Sequence, residues 1–260
     1  MSIQTQGKLN RLLQSIPSAT VVTSRHLTGL GVSPQLAKKY VQNGWLTSFG
    51  TGAFARAGDA PDWLGGLYAL QSQLGLTAHV AAVSALELQG RAHFVPLGQG
   101  RRVTLVSDRR ENLPKWFTVY PWTAGLHHRC LTLFHQLPDQ ATLAFNCGTF
   151  SVHISSPERA IIEEMCLARG NNDIEHAVML MNGLSTLRPS VVQPLLMSCT
   201  SVKAKRFFLW AAKAAQHTWL ERVDVRSVDL GSGKRQLYTG GIFDPEYLIT
   251  VPQGEELPNV

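Results

Sequence analysis

The chain has 260 residues, enough for two domains, and 44% of them are hydrophobic, so a packed core is expected and wholesale disorder is excluded. Lys and Arg number 24 against 18 Asp and Glu, a formal net charge of +6. Six of the cations (Lys8, Arg11, Arg25, Lys38, Lys39, Arg56) but only one acid (Asp59) fall within residues 1–60, the electrostatic footprint of a small nucleic-acid-binding module.

Leu9, Leu12, Leu13 and Ile16 recur at helical spacing, and Pro17 ends that helix. Ser24 is read as the cap of a second short helix, which Gly31 closes in a left-handed turn. The stretch 33–43, "SPQLAKKYVQN", predicts a third helix, with Ser33 as N-cap and Pro34 in its first turn. At about 100° per residue, Leu36, Ala37, Tyr40 and Val41 share one side. Gln35, Lys38, Lys39 and Gln42 share the other. Lysine grips phosphate and glutamine reads base edges, adenine above all. "WLTSFGTGAFAR" then reads as two strands around Gly50-Thr51-Gly52. Helix, helix, helix, hairpin is the order of a winged helix-turn-helix. In that reading Ser33 and the start of its helix hold a phosphate. Arg25, Thr47, Ser48 and Thr51 add backbone contacts.

"AGDAPD" (57–62) reads as a linker. Asp62 caps a helix from Trp63, and Thr77 caps the next, to Gly90, as a helical hairpin. Strands are expected at 101–108, 130–137, 141–145 and 150–155, then helices from Ser156-Pro157, from Asp173, over "VVQPLLMSC" and over 203–220. On the last helix Phe208, Ala211, Ala212, Ala215 and Trp219 share one side. Lys203, Arg206, Trp210, Lys213 and His217 line up on the other within about 80°, a candidate surface for RNA, an acidic partner or more DNA. The tail from 228 suggests strand pieces and tight turns. The fold class is therefore α+β: an N-terminal winged helix-turn-helix (1–60) followed by a larger mixed α+β domain (61–260).

Chemistry is sparse. Cys130, Cys147, Cys166 and Cys199 form no CxxC pair, and His127-His128 has no carboxylate near it in sequence, so no metal site is expected. "DLGSGKR" (229–235) lacks the first Gly and the Ser or Thr of a phosphate loop; it reads as a turn bearing two cations, Lys234 and Arg235, that suits RNA or an acidic partner. No convergent carboxylates of a metal-dependent nuclease and no GxSxG elbow are present, so no catalytic residues and no cofactor are assigned. The first residues lack the apolar run of a signal peptide, and 207–212 is far too short to span a bilayer, so a cytoplasmic protein without membrane contact is expected.

Five segments in this order resemble one family: "LTSFGTGAFARAGD", "WLGGLYALQSQLGLTAHVAAVSALELQG", "SPERAIIE", "VKAKRFFLWAAKAAQHTWL" and "VDLGSGKRQLYTGGIFDPEYLITVP". They are similar to the antitoxins of AbiE-type abortive-infection (phage-defence) systems, the type IV toxin–antitoxin pairs of bacteria. The resemblance implies a winged-helix repressor that binds inverted repeats in its own promoter. It also implies a C-terminal domain that counteracts a nucleotidyltransferase-like toxin, not necessarily through a stable complex. By position it assigns Gln35, Lys38, Lys39 and Gln42 to the recognition helix and roughly 47–56 to the wing, whose one cation is Arg56. Two rival expectations remain: a winged-helix transcription factor with a ligand-sensing C-terminal domain, and a DNA-targeted nuclease.

Overall fold

The computed structural model describes residues 9, 10, 12–92 and 102–253; Lys8, Arg11 and Arg101 lie outside them. The described chain forms two compact units, each discontinuous in sequence: 1–79 with 100–130 and 144–153, and 80–99 with 131–143 and 154–260. The units therefore do not divide at residue 60, where the linker was expected.

The first unit opens with the expected winged helix. Helix α1 (9–10 and 12–15) leads to strand β1 (Val22–Thr23), α2 (Ser24–Gly29), α3 (Pro34–Gln42), β2 (Leu46–Gly50) and β3 (Ala53–Arg56). The three strands pair in the order β1-β3-β2, antiparallel throughout. Leu9, Leu12, Ile16, Val22, Leu27, Val32, Ala37, Tyr40 and Leu46 form one core, so a single buried cluster fixes every element of the module. The cap of α2 is Thr23, not Ser24: the Thr23 hydroxyl accepts the N–H of His26 at 3.2 Å. Gly31 (φ +77°) and Gly44 (φ +71°) close α2 and α3 in the left-handed conformation that glycine adopts without penalty.

Residues 57–62 are tied down rather than loose. Asp59 accepts the backbone N–H of Ala19, and Asp62 caps α4 (Trp63–Tyr68) by accepting from Leu64 and Gly65. Gln73, on the π-helical turn Ala69–Gln73 that continues α4, accepts from Thr23 N at 2.8 Å and donates to Val21 O at 2.9 Å. That side chain satisfies the open edge of β1 as a neighbouring strand would. The 61–79 segment thus belongs with the winged helix because its polar groups complete that small sheet.

The rest of the first unit is a parallel pair, β5 (Arg102–Ser107) and β6 (Gly125–Cys130), in register from Arg102↔Gly125 to Ser107↔Cys130, joined through α6 (Lys115–Val119). The chain passes between the units inside β4 (His79–Val80), β7 (Thr142–Asn146) and β8 (Ser151–Ser155). The strand expected at 130–137 is instead β6, five residues earlier. Residues beyond it bond elsewhere: Thr200 N donates to Leu133 O and His135 N to Ser198 O, leaving only a Phe134↔Cys199 bridge. The helical hairpin is also replaced, since β4 separates α4 from α5 (Ala82–Leu88), and Thr77 N donates to the Glu111 carboxylate instead of Thr77 capping a helix.

In the second unit, α7 (Pro157–Leu167) is central and packs on α5, α8 (Asn171–Asn182), α9 (Pro189–Ser198) and α10 (Val202–Ala214). Ser156 caps α7 and Pro157 starts it, as expected. Asp173 lies inside α8, and Gly170 takes the cap position. The "SPERAIIE" segment and the residues just after it hold a buried polar network. Arg159 pairs with Glu163 (2.7 Å), Glu158 with Arg188 (2.8 Å), and Glu163 and Glu164 accept the first N–H groups of α5, from Ala82 and Val83, each at 3.1 Å. Helix α10 ends at Ala214, because Gln216 takes φ +53° and turns the chain into a 3-10 turn at Thr218–Arg222. A small sheet closes the unit: β9 (Arg235–Gln236), β10 (Ile242–Asp244) and β11 (Ile249–Val251), in the order β10-β11-β9.

Candidate nucleic-acid interface

Helix α3 is anchored from one side only. Ala37 and Tyr40 are buried, Leu36 and Val41 half-buried, all against the winged-helix core. Ser33 accepts the N–H of Leu36 at 3.2 Å, and Pro34 occupies the first turn, where its missing N–H costs nothing. Gln35, Lys38, Lys39 and Gln42 are all exposed, as are Ser33 and, on α2, Arg25. The helix therefore presents two cations and two amides to solvent on a rigid base, with donors for phosphate and paired donor–acceptor groups for base edges.

The wing presents Thr47, Ser48 and Thr51, again exposed. Thr47 and Ser48 are successive residues on one strand, yet both are exposed. Their pairings, Thr47↔Ala55 and Ser48↔Phe54, are regular, so the two side chains reach solvent on opposite faces of the hairpin; the pairing slips only beyond them, between Ser48 and Gly50, where buried Phe49 is left unpaired. Ser24 N donates to Gly52 O at 2.8 Å, which ties the wing turn to α2. Arg56 departs from expectation. It pairs opposite Leu46 at the base of the hairpin, half-buried, with Nη1 donating to Ile16 O at 3.4 Å. Its register places it away from the turn, so it braces the wing and is no cation of the wing tip.

Sequence reading missed a neighbour of the wing. Phe49 stacks on Tyr120, ring centroids 4.0 Å apart, and lies 5.5 Å from Trp122. Trp116 of α6 comes so close to Gly50 (φ +126°) that a Cβ there would meet Trp116 Cβ at 3.0 Å. No local periodicity links residues 50 and 116; only the fold does.

The candidate surface on α10 needs correction. Arg206 is 1% exposed, and Trp210 and His217 are each 9% exposed. Arg206 donates to four backbone carbonyls: Leu230 (2.7 Å), Gly233 (2.6 Å), Gly231 (3.1 Å) and Leu248 (3.3 Å). His217 Nε2 lies 2.7 Å from Met181 O, and Lys203 is half-buried with its ammonium on Ala168 O. Of the stripe only Lys213 is exposed, paired with Glu246. Arg206 and Lys203 thus bond to backbone carbonyls within the fold, and Lys213 makes a surface pair. Lys234 and Arg235 are exposed, and the Lys234 ammonium sits 4.8 Å from the ring of Phe243, itself exposed.

One nucleophile–base contact was not visible in sequence. Ser107 Oγ lies 2.8 Å from His128 Nε2, near Glu111. Ser107 is 0% exposed, and Glu111 is engaged by Thr77 N and Arg109, so the arrangement offers no substrate access to the hydroxyl. Burial lowers the His128 pKa despite the opposing charge of Glu111. Among the described residues no three His, Cys, Asp or Glu side chains converge to hold a metal ion, and no helix is long and apolar enough to cross a membrane.

A three-helix module with a two-stranded wing and a solvent-facing third helix of Lys and Gln has the architecture of a winged helix-turn-helix. The family profile described as "Transcriptional regulator, AbiEi antitoxin N-terminal domain" matches residues 5–97, and that described as "Transcriptional regulator, AbiEi antitoxin, Type IV TA system" matches residues 100–252. The chain belongs to this family of AbiEi antitoxins of type IV toxin–antitoxin systems. The crystal structure of the RV2827C protein from Mycobacterium tuberculosis has a similar fold, with a TM-score of 0.55 at 14% identity, over 96% of this chain and 92% of that one. No curated protein sequence matches.

Proposed function

We propose that the chain represses its own operon by laying α3 in the major groove of promoter inverted repeats, and that its remaining residues counteract a nucleotidyltransferase-like toxin. The observation that carries the DNA reading is the partition of α3: Ala37 and Tyr40 buried, Gln35, Lys38, Lys39 and Gln42 exposed. Lys38 and Lys39 contact phosphates, and Gln35 and Gln42 read base edges. Ser33, Arg25, Thr47, Ser48 and Thr51 add backbone contacts around that helix. A binding titration on promoter duplex tests this. Lys38→Ala weakens binding to every sequence and lowers the salt slope by about 1. Gln42→Ala relaxes preference at one base pair, costing about 1–3 kcal/mol there. Unchanged binding by both variants rejects the groove assignment.

For the antitoxin role, the burial of Arg206, Trp210 and His217 narrows the candidate surface to Lys234 and Arg235, both exposed, with Lys234 over the Phe243 ring. Two exposed cations suit an acidic partner surface. Reversing both charges and scoring rescue of toxin-poisoned cells tests it; full rescue removes this surface from the account.

A further inference from the structure

The wing turn, Gly50-Thr51-Gly52, carries no cation, and Arg56 is committed to the base of the hairpin. A cation nevertheless stands beside that turn. Phe49, Gly50 and Thr51 share an open concavity of about 760 Å³ with Lys115, Trp116, Val119, Tyr120 and Pro121. The contact of Gly50 with Trp116 and the Phe49–Tyr120 stack fix α6 against the wing. Lys115 is exposed and has no acidic partner among the described residues. Val119, 77% exposed, and Tyr120, 38% exposed, give the concavity an apolar rim.

We propose that α6 is a second edge of the wing, with Lys115 contacting a DNA phosphate beside Thr51 while Val119 and Tyr120 lie against the adjoining deoxyribose. One cation beside an apolar rim matches the alternation of phosphate and sugar along a single strand of the duplex. The contact is to backbone, so it adds affinity without sequence information. It rests on the reading of α3 as the groove helix, since it extends that interface.

The test is fluorescence anisotropy of the full chain on labelled promoter duplex and on a scrambled duplex, across a salt series. Lys115→Ala is expected to weaken both about three- to tenfold near 0.1 M salt and to lower the salt slope by about 1. Lys115→Arg is expected to keep the slope. Lys38→Ala serves as the control for the reading beneath. If Lys38→Ala weakens binding and Lys115→Ala does not, the α6 contact is rejected and the α3 reading stands. If neither weakens binding, both fall. A loss confined to the promoter duplex also overturns the proposal, because a backbone contact cannot discriminate sequence.

Discussion

Arg206 Nη1 donates to the carbonyl oxygen of Gly233 at 2.6 Å, and its other nitrogens reach Leu230 and Gly231. A buried guanidinium thus holds the 229–233 turn by its backbone alone. Arg206→Ala strands those carbonyls, at about 1–3 kcal/mol for each that water does not reach. A total loss of roughly 2–4 kcal/mol is expected by urea denaturation. Arg206→Lys does not restore it, because an ammonium cannot span acceptors that a planar fork reaches. Full stability in Arg206→Lys would contradict this role.

Gly65 shows why "WLGGLY" carries paired glycines. A Cβ at Gly65 would sit 2.0 Å from Ala19 O, and Gly65 O accepts from Val21 N at 3.2 Å. At Gly66 the obstacles are the rings of Phe117 and Trp122, at 3.0 and 2.9 Å. Gly65→Ala must push backbone aside and is expected to cost about 1–3 kcal/mol or more. The denaturation midpoint falls with unchanged slope. A wild-type midpoint would show that the close approach relaxes freely.

His176 predicts a pH dependence. The Glu164 carboxylate, with Oε1 3.7 Å from Nδ1, raises the imidazole pKa against the opposing effect of burial. The folded value lies above the unfolded value of about 6.5. Protonation therefore favours the folded state: the contribution is complete below the unfolded value and is lost as pH rises through the folded one. His176→Gln is expected to flatten the stability profile across that window and leave it unchanged at higher pH. An identical profile in the variant would show that the pair contributes nothing.

Much of the winged helix was legible because its signals are local. Ser33, Pro34, Gly44 and the split of α3 into Leu36, Ala37, Tyr40, Val41 and Gln35, Lys38, Lys39, Gln42 all lie within one stretch of chain. The misread elements depend on distant partners. Arg206 looked solvent-facing because the carbonyls that surround it arrive 24 to 42 residues later. Residues 57–62 looked like a linker because their ties to Ala19 span 40 residues. Residues 131–137 have strand composition, but the 198–200 segment takes their backbone groups, which no local pattern announces. Lys115 was invisible as a wing cation because only the tertiary approach of α6 to Gly50 puts it there.

The central claim, that α3 lies in the major groove, is tested most directly by placing a photo-crosslinking phenylalanine derivative at exposed Gln42. Irradiated on bound promoter duplex, the derivative at position 42 is expected to crosslink to DNA within the protected site. Promoter binding retained with no crosslink from position 42 would contradict the account.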